Sequence, residues 1–162
     1  MIASIFLTFL CVTCVLLAFI DLRLGIIPNR LNAAVAVAGL ARASLLEDIA
    51  AALVAGCEAI AVGAIAWLLR WLFFHFRKYQ GLGLGDVKLL AASGVWIGIA
   101  GVPVQLLVGS LTALTVVGIL QFTGHEITRR TSLPFGPFLA LGLLARFGMQ
   151  QAGWISSAFA SG

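Results

Sequence analysis

The chain has 162 residues, of which 62% are hydrophobic and 10% are charged, and its formal net charge is +4. A soluble globular domain carries about 25% charged residues, so this composition excludes an ordinary soluble protein. The apolar runs approach the ~20 residues that cross a bilayer, and they are continuous, whereas the strands of a membrane barrel alternate polar and apolar residues. We therefore expect one all-α, polytopic membrane domain over residues 1–162, surrounded by the lipid bilayer.

The apolar runs, taken in chain order, predict six transmembrane helices. The first, residues 2–20, has neither a basic start nor a small-residue cleavage site, so we interpret it as a retained helix rather than a signal peptide. Pro28 then interrupts helix continuity. A tight turn is expected at "GVP" (101–103), between the fourth and fifth helices. The remaining predicted spans are about 31–46, Ile49–Phe76, Val87–Ala100, 104–122 and Phe135–Gln151.

The basic residues predict the orientation of these helices. They concentrate in the first, third and fifth connections, whereas the other connections hold almost none. Because basic loops stay in the cytoplasm, we predict that these three connections are cytoplasmic and that both termini face outward. The positive charge is thus interpreted as a topology signal, and no nucleic-acid partner is predicted. The residues concerned are Arg23, Arg30, Arg77, Lys78, Lys88, Arg129 and Arg130.

Two short patterns within the spans are interpreted as packing features. Cys11 and Cys14, in "CVTC", have zinc-ligand spacing, but they lie in an apolar run with no second pair or histidine close by. No metal site and no cofactor are predicted. Gly94 and Gly98 form a GxxxG pattern, which is typical of helices that approach each other closely in a membrane.

One acidic and one basic residue fall inside predicted spans. Glu58 lies about 12 Å from the outer end of the third span at 1.5 Å per residue, and Arg146 lies at a similar depth in the sixth. A charge inside a membrane normally has a partner. We therefore expect a structural ion pair between Glu58 and Arg146.

Two aspartates are placed at one membrane depth by the predicted topology. Asp21 ends the first span on the cytoplasmic side, and Asp86 begins the fourth span from the same side. Two close carboxyl groups do not both ionise cheaply, so one retains its proton and the pair is suited to acid–base hydrolysis of a peptide. The alternative is that both are interfacial aspartates, solvated or salt-bridged to Arg23 and Lys88.

The glycine-rich segment before Asp86 favours the catalytic interpretation. Gly81, Gly83 and Gly85 permit positive φ and close backbone approach. The spacing does not match a dinucleotide-binding or phosphate-binding loop. Irregular backbone at membrane depth is tolerated where it lines protein or a watery cavity. These glycines are therefore predicted to admit an extended substrate beside the carboxyl group of Asp86.

Three segments resemble the type IV prepilin peptidases, which are GXGD-type intramembrane aspartic peptidases. They are "DLRLGIIPNRLN" (21–32), "GLGDVKLLAASG" (83–94) and "PFGPFLALG" (134–142). The resemblance implies that Asp21 and Asp86 are the catalytic pair, with Gly83, Gly85 and Lys88 of the signature in contact with substrate. It also implies a bacterial inner-membrane enzyme that cuts prepilins or pseudopilins between a basic leader and a hydrophobic helix, on the cytoplasmic side.

The chain departs from the full-length bacterial members of that family in one respect. Those proteins have an extra N-terminal region with a large cytoplasmic loop and also methylate the new N-terminus, whereas here a single helix precedes Asp21. A short, peptidase-only form without methyltransferase activity is therefore expected. Two alternatives stay open from the residues: a non-catalytic transport subunit whose aspartates line a polar path, and an inactive assembly factor.

Overall fold

The computed structural model describes residues 2–77, 83–123 and 134–153. These residues form five helices and no strand, which confirms the all-α prediction for the part of the chain described. In chain order the helices are α1 (Ile2–Leu24), α2 (Asn29–Leu46), α3 (Ile49–Arg77), α4 (Leu84–Phe122) and α5 (Gly136–Gln151).

The break between α1 and α2 follows from two residues of the first motif. Gly25 has a φ of 62°, a left-handed conformation that glycine adopts without steric cost, and its N–H donates to the carbonyl of Asp21 at 2.8 Å. Pro28, with φ of −65°, precedes the first residue of α2. The interruption predicted at Pro28 is confirmed, and it leaves Asp21 in the last turn of α1.

Helix α4 contains the predicted fourth and fifth helices, but the chain turns at Gly98 rather than at residues 101–103. Gly98 has φ 67° and ψ 171°, so it breaks the helix into a first half (84–97) and a second half (99–122). The Gln105 side chain donates from Nε2 to Ser93 Oγ at 2.9 Å. In a straight helix these residues would be about 18 Å apart, so the two halves fold back against each other.

Within the described ranges, three helical segments are long and apolar enough, by length and composition, to cross a membrane: Ile2–Leu24, Ile49–Phe76 and Leu84–Phe122, the last of which is broken at Gly98. Large apolar side chains on them face outward, for example Phe76, 78% exposed, and Phe122, 96% exposed. Such a surface suits hydrocarbon rather than water. The six-span count and the orientation stay predictions. Several residues on which the sequence argument drew lie outside the described residues: Lys78, Gly81, Arg129 and Arg130.

The core is formed where the first half of α4 packs among α2, α3 and α5. Trp96 is 3% exposed, donates from Nε1 to the carbonyl of Val35 at 2.9 Å, and meets Phe147 edge-on at 5.4 Å. A Cβ at Gly94 would lie 3.1 Å from Ala59 Cα, so this glycine has the packing role predicted for it. Gly98, the other glycine of the GxxxG pattern, has a different role, because it forms the break in α4.

Candidate functional site

The site is built around Asp21, whose side chain is buried at the end of α1. It is 5% exposed, and its Oδ2 accepts a hydrogen bond from the Gly136 N–H at 3.0 Å. Gly136 is the first residue of α5, so the carboxyl group lies at the positive end of that helix. The contact joins residues 115 positions apart and brings the "PFGPF" segment to the first aspartate.

Asp86 occupies the first turn of α4 and is half-buried. Its Oδ2 accepts a hydrogen bond from the Gly83 N–H at 3.3 Å, and this too places a carboxyl group at a helix N-terminus. Gly85, the residue before Asp86, and Gly136, which contacts Asp21, both pack against the side chain of Ile27. Both acidic groups therefore lie in one region, each supported by a backbone amide.

Ile27 connects the starts of α4 and α5. A Cβ at Gly85 would lie 2.9 Å from Ile27 Cβ, and a Cβ at Gly136 would lie 3.0 Å from Ile27 Cδ1 and 2.6 Å from Asp21 Oδ2. Both helices thus approach the same side chain at distances that exclude any larger residue. The absence of a side chain at Gly85 and Gly136 allows the two aspartates to share this region.

Two asparagines of the first motif hold the start of α4 against the start of α2. Lys88 donates from Nζ to Asn29 Oδ1 at 2.7 Å, and Asn32 donates from Nδ2 to the Gly85 carbonyl at 3.4 Å. Asn32 is 5% exposed, and its Oδ1 has no hydrogen-bond partner within the described part of the chain. No role was predicted for either asparagine, for Ile27 or for Gly136. The signal was present, since all four lie within the segments that carry the resemblance.

The predicted substrate-contacting residues occupy this region, but the glycines do not use positive φ. Gly83 is extended, with φ of −66°, and Gly85 lies within the first turn of α4. The close approach of Ile27 therefore explains why a glycine is needed at position 85, independently of the substrate contact predicted for this residue. Lys88 is exposed and bonded to Asn29.

Arg23 and Lys88 do not neutralise the aspartates, so the structure does not support the alternative of salt-bridged interfacial aspartates. The Arg23 guanidinium lies over the Phe19 ring, 4.7 Å from its centroid. Within the described ranges neither aspartate forms an ion pair, and Asp21 is buried rather than solvated. The described residues also contain no group of three His, Cys, Asp or Glu side chains that could hold a metal ion.

The ion pair predicted between Glu58 and Arg146 is wrong as a direct contact. Both residues are described and line the same cavity, yet no salt bridge joins them. Arg146 instead donates from Nη1 to Gln150 Oε1 at 3.5 Å. Glu58 instead lies against the break in α4, where its Oε2 would be 3.0 Å from a Cβ at Gly98.

The fold and the site define a helical protein with an apolar outer surface and two carboxyl groups held together at one end of the bundle. The chain belongs to the type IV leader peptidase family, whose model matches residues 8–119.

The chain is also similar to curated proteins named prepilin leader peptidase/N-methyltransferase. It is 35% identical over 133 residues to that of Burkholderia pseudomallei (strain 1026b), covering 82% of this chain and 42% of the relative. It is 34% identical over 148 residues to that of Aeromonas hydrophila, covering 88% and 45%. For Pectobacterium carotovorum subsp. carotovorum the identity is 36% over 157 residues, covering 94% and 52%. The chain therefore spans about half the length of these relatives. No solved structure matches it.

Proposed function

We propose that this chain is an aspartic endopeptidase that removes the leader from prepilins or pseudopilins. Family membership and the names of the similar proteins support the reaction and the substrate class. The observation that carries the proposal is the burial of Asp21 against the Gly136 amide, with Asp86 in the first turn of a helix that packs on the same Ile27 side chain. We further propose that the protein resides in the bacterial inner membrane and cuts at the cytoplasmic face, where the basic connections are predicted to lie.

In the proposed reaction the two aspartates act on one water molecule and one peptide bond. The ionised carboxylate takes a proton from water, whose oxygen attacks the carbonyl carbon of the scissile bond. The protonated carboxyl group donates its proton toward the amide, and the C–N bond then breaks with the proton on the leaving nitrogen. In this mechanism the acid and base roles belong to the pair rather than to either aspartate, as they do for any two carboxyl groups that interact closely.

The starts of α4 and α5 supply the positioning that this mechanism requires. The amides of Gly136 and Gly83 each hold one carboxylate oxygen, so each aspartate keeps its other oxygen for water or substrate. An extended substrate is proposed to enter beside Gly83 and Gly85, with Lys88 at the edge of the region. This use of Gly83, Gly85 and Lys88 follows the signature that the sequence matches.

The test is leader cleavage in cells that co-express the chain with a prepilin. Asp21→Asn and Asp86→Asn should each leave the leader uncut while the variant remains in the membrane fraction. Asp48→Asn is the matched control: Asp48 is exposed at the start of α3, where its Oδ1 accepts the Ala51 N–H at 2.6 Å, and asparagine caps a helix equally well. Normal processing by either site variant would overturn the proposal.

A further inference from the structure

A cavity with several charged side chains in its lining lies at the opposite end of the bundle from the aspartates. Its volume is about 320 Å³, and its walls come from the end of α2, the first turns of α3, the break in α4 and the last turns of α5. Gly98 is about 18 Å along α4 from Asp86, so the cavity is separate from the candidate active site. Its polar lining consists of Arg42, Glu47, Glu58, Arg146, Gln150 and the backbone at Gly98.

Arg146 is a buried cation with little to neutralise it. It is 4% exposed, its Nε has no hydrogen-bond partner among the described residues, and the hydrogen bond from Nη1 to Gln150 is long at 3.5 Å. A buried guanidinium without a counter-charge costs several kcal/mol, and a charge at membrane depth is normally paired. The side chain lines the cavity, so an anionic group inside the cavity would meet it.

The other charged side chains of the cavity leave one acidic group without a partner. Arg42 and Glu47 pair with each other at 3.5 Å, and Arg42 also lies over the Phe147 ring, 5.4 Å from its centroid. Glu58 forms no ion pair with any described residue. Among the described residues that line the cavity, Arg146 and Glu58 are thus a cation and an anion that form no salt bridge.

The size and the membrane depth of the cavity indicate what fills that space. At about 30 Å³ per molecule the volume corresponds to roughly ten waters, which is enough for a small polar group. The first half of α4 is only about 21 Å long, whereas the hydrocarbon core of a bilayer is ~30 Å thick. A short helix draws the headgroup layer toward its end, and here that end is Gly98 in the cavity wall.

We propose that this cavity binds a zwitterionic headgroup of the phosphoethanolamine type, with its phosphate on Arg146 and its primary ammonium on Glu58. A ligand with only a phosphate would neutralise Arg146 but bring a like charge to Glu58, and a simple cation would do the reverse. The zwitterion satisfies both side chains with charge-assisted hydrogen bonds. The same chemistry is available in phosphatidylethanolamine of the bilayer and in soluble glycerophosphoethanolamine. The inference does not depend on the proposed peptidase activity.

The experiment compares lipids on the delipidated full chain in detergent. Native mass spectrometry measures retention of phosphatidylethanolamine and phosphatidylglycerol, which differ in the ammonium group, and of glycerophosphoethanolamine as the soluble source. We expect the wild type to prefer phosphatidylethanolamine over phosphatidylglycerol by about tenfold, as one charge-assisted hydrogen bond provides. Glu58→Gln should reduce that ratio to about one, and Arg146→Gln should reduce retention of both lipids.

Matched variants separate the cavity from general charge effects. Asp48→Asn removes an acidic group that does not line the cavity, and Arg23→Gln removes a basic group at the other end of the bundle; both should keep the wild-type ratio. If Arg146→Gln does not fold, the ratio of phosphatidylethanolamine to phosphatidylglycerol retained by Glu58→Gln still tests the proposal.

Retention of the lipid alone assigns the site to the bilayer, and equal retention of glycerophosphoethanolamine assigns it to a soluble zwitterion. Equal retention of both lipids by the wild type, or an unchanged ratio in Glu58→Gln, would overturn the proposal.

Discussion

A methyl group at Gly136 tests whether the contact between α5 and Asp21 positions the candidate site. The Cβ of alanine would lie 2.6 Å from Asp21 Oδ2 and 3.0 Å from Ile27 Cδ1. The Asp21 contact must open by about 0.8 Å to reach ordinary van der Waals separation, which begins at 3.4 Å. Because Asp21 is 5% exposed, the carboxyl group cannot simply turn into solvent, and either it or the start of α5 must move.

The size of the expected effect follows from that displacement. A misplacement of about 1 Å at a reacting group costs ~100-fold in rate, so Gly136→Ala should lower kcat/KM for leader cleavage by roughly 10- to 100-fold. Overpacking of this kind costs about 1–3 kcal/mol of stability, which leaves a measurable folded population. Most of the effect should therefore appear as lost activity in a protein that still folds.

The assay is cleavage of a purified prepilin in detergent, with thermal unfolding measured on the same samples. Gly148→Ala is the control in the same helix, since nothing lies within 4 Å of its added Cβ. It should retain wild-type cleavage and be unchanged or more stable by up to ~1 kcal/mol, because alanine favours helix more than glycine does. If Gly136→Ala cleaved the leader as fast as Gly148→Ala, the positioning role of this contact would be refuted.

Three further substitutions probe the same framework. Gly85→Ala brings a Cβ to 2.9 Å from Ile27 Cβ, so the rate of prepilin cleavage should fall by about tenfold or more. Gly118→Ala is the control in the same helix: nothing lies within 4 Å of its added Cβ, and it should cleave the prepilin at the wild-type rate. Gly98→Ala forces alanine into φ 67°, ψ 171°, so it should lower the free energy of unfolding by about 1–3 kcal/mol. A denaturant titration measures this loss, and an unchanged midpoint would mean that the break in α4 lies elsewhere. Gln105→Leu removes the hydrogen bonds to Ser93 Oγ at 2.9 Å and to the Leu139 carbonyl at 3.0 Å, and should lower the free energy of unfolding by about 1–3 kcal/mol. The variant should therefore unfold at a lower temperature. An unfolding temperature equal to that of the wild type would contradict close packing of the two halves of α4.

The helices and the relation of the two aspartates were open to prediction from the residues. An apolar run long enough to cross a bilayer is a local property, because each residue contributes its own transfer free energy. Residues 2–20, Ile49–Phe76 and Phe135–Gln151 were therefore located within a few residues of α1, α3 and α5. The predicted order of the spans also placed Asp21 and Asp86 at one end of the bundle, because Asp21 ends the first span on the side from which Asp86 begins the fourth.

The turn within α4 and the Glu58–Arg146 pair were predicted incorrectly because both depend on backbone geometry that composition does not report. "GVP" has the residues of a turn, yet the chain turns at Gly98, where φ is 67° and the first half of α4 meets α3. Glu58 lies against that break and Arg146 donates to Gln150, although the depths of the two charges along their helices suggested a direct contact.

Hydrophobic length and motif spacing are local properties of a sequence, and they were enough to predict a helical membrane protein with two aspartates at one end. The atoms that support those aspartates became apparent only from the folded chain. The Gly136 amide reaches Asp21 from 115 residues away, and Ile27 meets both Gly85 and Gly136. Such contacts depend on the axial position and crossing angle of each helix relative to its neighbours. These are set by the packing of the whole bundle rather than by any one segment.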